Sequence, residues 1–122
     1  MKPIKIDLEK LARRLGWSEK HADYLLAARN TVVIVEETSR AKLDDIEKLD
    51  KTVEALLKGM LKNVLPANCN PSKIVAVVHA QRGIDPMIPR IIRSRTKGNT
   101  VYRTADCSQR LKRILEEHLA NV

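Results

Sequence analysis

The sequence predicts a mainly α protein with a long central helix and a small β element; an α+β fold with a short antiparallel sheet is the alternative. Apolar residues recur at helical spacing near the start of the chain, through residues 41–63 and again near the end. Stretches with strand character are short by comparison, notably residues 31–35 and 100–104. With 122 residues the chain fits a single domain, 1–122. Residues 1–36, 38–65 and 70–122 form its three parts.

In the first part, Asp7 is positioned to cap a helix whose apolar residues are Leu8, Leu11, Ala12 and Leu15, with Gly16 as its stop. Ser18 caps a second helix carrying Ala22, Leu25 and Leu26, and Asn30 ends it. The β-branched run at 31–35 then reads as one strand. Thr38 or Ser39 opens the longest element, which Pro66 closes. Along it Ile46, Leu49, Val53, Leu56 and Met60 alternate steps of three and four, a heptad seam suited to pairing with a second copy.

The third part admits two readings. Asn70-Pro71 opens a helix and Gly83 stops it, although residues 74–78 are β-branched enough to be a buried strand. Asp85-Pro86 opens a second helix with Ile88, Ile91 and Ile92 on one side and Arg90, Arg93 and Ser94 on the other. A turn at Lys97-Gly98-Asn99 leads into the 100–104 strand; the competing hairpin reading pairs 90–95 with 100–104. A last helix starts at Asp106 or Ser108 and lines up Leu111, Ile114, Leu115 and Leu119.

Charge narrows the function classes. The net charge is +8, and residues 82–113 hold 9 basic against 2 acidic side chains. A field concentrated on one segment suits a polyanion, because neutralised phosphates release their counterions. Trp17, Tyr24 and Tyr102 are the only aromatic residues, too few for a module that stacks bases. No apolar run approaches the ~18 residues needed to span a bilayer, and no signal-peptide pattern opens the chain, so a cytoplasmic location is expected. Cys69 and Cys107 stand alone, as do the three histidines. The four glycines are far apart, so no phosphate loop is present. No catalytic set, metal or cofactor is expected, and the chain is read as a non-enzyme.

Residues 11–18, Leu-Ala-Arg-Arg-Leu-Gly-Trp-Ser, with Ala22 and Leu25 beyond, place a small residue and a glycine four apart between two helices. Over about 20 residues this resembles the helix-turn-helix of bacterial and phage regulators, with Ala22 where a branched aliphatic is usual. The resemblance implies base or phosphate contacts from Lys20 and Tyr24. Independently, the order helix, Gly83 turn, basic helix, loop and strand is winged-helix-like. There Arg90, Arg93 and Ser94 face the major groove, Lys97 and Arg103 on the wing meet phosphates as does Arg82 at the turn, and Arg95 and Asn99 join the nucleic-acid-binding set. The expected function is sequence-specific double-stranded DNA binding by a small homodimeric transcriptional regulator. The alternatives are a helical protein-interaction or inhibitor module with a basic face, and a structured-RNA binder.

Overall fold

The computed structural model describes residues 3–66, 69 and 71–119. Its centre is made from the two most β-branched stretches of the chain. Thr31–Thr38 (β3) and Lys73–Ala80 (β4) pair in parallel, from Thr31 opposite Lys73 to Thr38 opposite Ala80. Both strands are buried on both faces, and so they read as apolar runs with no polar alternation. Thr100–Ala105 (β5) pairs in parallel with β4. On the other flank Tyr24–Ala27 (β2) runs antiparallel to β3, and Ile4–Asp7 (β1) antiparallel to β2.

The sheet is therefore five-stranded and mixed, in the order β1-β2-β3-β4-β5, and the mainly α expectation is overturned. Residues 74–78 form the interior strand and not a helix. The Asn70 cap lies outside the described residues. With β4 in the sheet, the helix expected to end at Gly83 does not form, hence no winged helix. β5 joins β4 and is no wing, and the short antiparallel sheet of the alternative falls short of the parallel pairs at the centre. The second helix expected after Ser18 is absent as well: Tyr24–Ala27 is a strand, which removes the helix-turn-helix.

Four helices cover the sheet. Leu8–Leu15 (α1) forms where expected: the Asp7 side chain accepts from the Lys10 N–H at 3.1 Å, and Gly16 takes φ 68° at the C-terminus. Leu43–Leu57 (α2) is shorter than the 41–63 span, since the chain turns at Lys58 and Gly59 adopts φ 77°. Ile88–Arg95 (α3) and Ser108–Leu119 (α4) complete the set. Leu8, Leu11, Ile46, Leu49, Val53, Leu56 and Ile88 share one core with Val32, Ile34, Ala76 and Val78, so α1, α2 and α3 lie on one face. Leu111, Ile114 and Leu119 of α4 pack with Val33, Val35, Val75 and Val77 on the other. No helix among the described residues is long and apolar enough to cross a membrane.

The heptad seam thus has an intrachain use. Ile46, Leu49, Val53 and Leu56 are buried against β3 and β4 of their own chain. Only Met60, beyond the helix, stays about half exposed. A 3-4 apolar alternation fits a sheet face as well as a second helix, which is why spacing alone does not distinguish them.

Candidate functional site

α3 is built to carry charge outward. Pro89 occupies its first turn, where a missing N–H costs little, and no side chain caps it. Ile88 is fully buried, Ile91 and Ile92 are half-buried, and these three fix the helix against the α1/α2 core. The opposite side then presents Arg90, Arg93 and Ser94, and Lys97 follows the extended Thr96 in a turn bridged to Thr100; all four are exposed. The Ser94 hydroxyl donates to the Ile91 carbonyl at 2.6 Å, so it also serves the helix itself. Arg82, exposed in the loop after β4, and Asn99, exposed in the Gly98 turn (φ 59°), lie before and after α3 in the chain. Among the described residues Arg82, Arg90, Arg93 and Lys97 enter no ion pair, whereas the other cations proposed from the sequence do.

Arg95 turns from that face to Asp50 of α2, at 3.1 Å. Asp50 also accepts from the Tyr102 hydroxyl at 2.6 Å. Arg103 stands on β5 and reaches Glu117 of α4 at 3.4 Å. Lys20 is held by Asp44 at 2.6 Å and Glu47 at 3.4 Å beside α2. Tyr24 lies on the sheet face that α4 partly covers, with its hydroxyl donating to Glu37 at 3.3 Å and the Lys5 ammonium 4.3 Å above its ring. Burial and the Glu37 charge push that phenol up to about 12. The sequence-derived set therefore divides: Arg82, Arg90, Arg93, Ser94, Lys97 and Asn99 share α3 and its flanking loops, while Arg95, Arg103, Lys20 and Tyr24 serve contacts within the chain.

A second cluster sits where β3 ends, and composition gave no hint of it. Glu36 and Glu37 are consecutive strand residues, so their side chains leave on opposite faces. Glu37 accepts from the ring Nδ1 of His79 at 2.6 Å, its neighbour in register on β4. Glu36 points under α2, is 2% exposed, and meets Lys48 Nζ at 3.3 Å through Oε2. Burial, with Asp23 adding to it, pushes the Glu36 carboxyl up to about 8 against the pull of Lys48. The signal in the sequence was a pair of carboxylates continuing an apolar β-branched run, with no turn residue between. Among the described residues no group of three or more His, Cys, Asp or Glu is arranged to hold a metal ion.

In comparisons with family models, curated proteins and solved structures, the chain matches none of them.

Proposed function

We propose that the protein binds double-stranded DNA through the outward face of α3 and its two flanking loops, acting as a small sequence-specific regulator. The observation that carries this reading is Arg90 and Arg93 on the outward face of α3 with Lys97 in the turn beyond it, three exposed cations with no ion pair among the described residues. An α-helix fits the major groove, where an arginine can bond guanine through two hydrogen bonds. Arg82 and Lys97 then meet phosphates on either side. A single-stranded target is disfavoured by the aromatic side chains: Tyr102 is buried, Tyr24 is half-buried, and Trp17 packs with its ring centroid 4.9 Å from that of His21.

A second copy belongs to the proposal, since two half-sites bound together raise affinity and specificity. Its contact lies away from the buried seam. Leu15 and Met60, each about half exposed, line one shallow depression with Trp17 and supply an apolar surface for it.

The test is duplex binding by fluorescence anisotropy, after selection of a preferred sequence from random duplexes. Arg90→Ala combined with Arg93→Ala is expected to weaken binding to the selected duplex by about a hundredfold or more. The circular dichroism spectrum should stay unchanged, because neither side chain packs in the core. Unaltered affinity and selectivity in that double variant would refute the role of α3. Affinity that falls steeply with salt but prefers no duplex sequence would instead favour an acidic protein partner.

A further inference from the structure

The bend that leads into β2 brings a second carboxylate up to the end of β3. Tyr24 pairs with Val35 at the last position of the ladder, and the Asp23 N–H, in the bend before it, donates to that same Val35 carbonyl at 3.1 Å. Asp23 is itself exposed, and its carboxylate reaches the end of β3 beside Glu36. Two carboxylates brought so close repel. The Asp23 carboxylate is fixed in position, because its Oδ2 accepts from the Glu37 N–H at 2.7 Å. Glu36 is almost wholly buried, yet its Oε1 has no hydrogen-bond partner among the described residues. Neither protonation state satisfies that oxygen: ionised, it lacks a donor, and protonated, it lacks an acceptor. Asp45, close by on α2, is already used, since its Oδ2 accepts from the Lys42 N–H at 2.9 Å.

We propose that Asp23 and Glu36 form a binding site for one hydrated divalent cation of the Mg²⁺ class at the carboxyl end of β3, with the Lys48 ammonium as its competitor. Carboxylate oxygens are hard donors and suit Mg²⁺ or Mn²⁺ over softer metals. Mg²⁺ usually takes one or two carboxylates and keeps several of its waters, so two protein ligands meet its demand. A cage of three or more protein ligands, such as structural zinc needs, is absent among the described residues. Lys48 Nζ lies 3.3 Å from Glu36 Oε2 and 3.8 Å from Asp44 Oδ2. With Asp44 as a second anchor, the ammonium can move off Glu36 when a cation arrives, and charge balance at the pair is kept.

The experiment is Mn²⁺ titration of the full chain, followed by the electron paramagnetic resonance signal of free Mn²⁺, with no nucleic acid present. One equivalent should bind with Kd at or below about 1 mM, the weak end of protein carboxylate sites, and Mg²⁺ should displace it. Glu36→Gln and Asp23→Asn should each weaken binding by at least about tenfold. Lys48→Met should tighten it several-fold by removing the competing charge, and circular dichroism shows that each variant is folded. No uptake by the parent chain, affinity unchanged in Glu36→Gln, or affinity unchanged or weakened in Lys48→Met would each overturn the site. Because duplex is absent, failure here leaves the reading of α3 untouched, and failure of α3 to bind duplex leaves this site standing.

Discussion

On α3 the guanidinium groups of Arg90 and Arg93 stand in water, held out by three isoleucines beneath them, and hydration costs the fold nothing. At the end of β3 the Glu36 carboxyl is shut under α2 with one oxygen unpartnered among the described residues and the Asp23 carboxylate close by. Both regions concentrate like charge, and the field they produce differs mainly in sign. What separates them is desolvation. The α3 row presents hydrated charge to a partner, whereas Glu36 is shut away from water, which is costly to the fold and pushes its carboxyl up to about 8.

The largest expected effect comes from adding a carboxylate with no cation to answer it. Val53→Asp on the inner face of α2 puts a charge at a position only 7% exposed, which costs several kcal/mol. Loss of the far-ultraviolet helical signal at 25 °C is the expected outcome. A variant that stays folded but halves in mass by light scattering would mean that the seam faces a second copy.

Next is the charge already present. Glu36 keeps a proton in the folded chain that the unfolded chain releases above its ordinary value of 4.5, and the folded value is about 8. The folded state binds more protons across that window, so its stability is full below pH 4.5, falls as pH rises, and levels off above 8. Glu36→Gln keeps the shape and removes the titration. It should be more stable than the parent at pH 8 by on the order of 3 kcal/mol, with a flatter profile by urea denaturation. Parallel profiles for the two proteins would place Glu36 in the same solvated class as the α3 arginines.

The smallest effect leaves both charge clusters intact. At φ 68° with nothing within 4 Å of an added Cβ, Gly16→Val meets backbone strain and no clash. A loss of about 1 kcal/mol, seen as a lower melting temperature, is expected; duplex and Mn²⁺ binding should not change.

Legibility in the sequence followed the range of the forces involved. Asp7 and Gly16 bracketed α1 correctly because caps are local chemistry. α3, α4 and the 31–35 strand core were readable for similar reasons. β4 was not, since Pro71 and Gly83 punctuate a strand as readily as a helix, and only sheet burial decides for residues 74–78. β1 was missed because four residues carry too little alternation to stand out. Ala22, Leu25 and Leu26 fit a helical stripe, yet pairing with Val33 and Ile34 places the last two in β2. For the surface, runs of arginine announced α3. Asp23 and Glu36 are 13 positions apart, and only the return of the chain to the end of β3 brings them together.

The central pair of strands also sets the order in which the chain assembles. β2 and β3 are joined by a tight connection in which the Ala28 N–H donates to the Thr31 carbonyl at 2.9 Å, so this hairpin closes locally. The β3–β4 ladder joins Thr31 to Lys73 and cannot form until the intervening loop has closed around α2. Until then one edge of Val32, Val33, Ile34 and Val35 lies open, a β-branched strip that can pair with any strand it meets. Folding is therefore limited by a long-range closure that local helix strength does not accelerate. At high concentration, refolding yield should depend on how soon β4 seals that edge against a neighbouring chain.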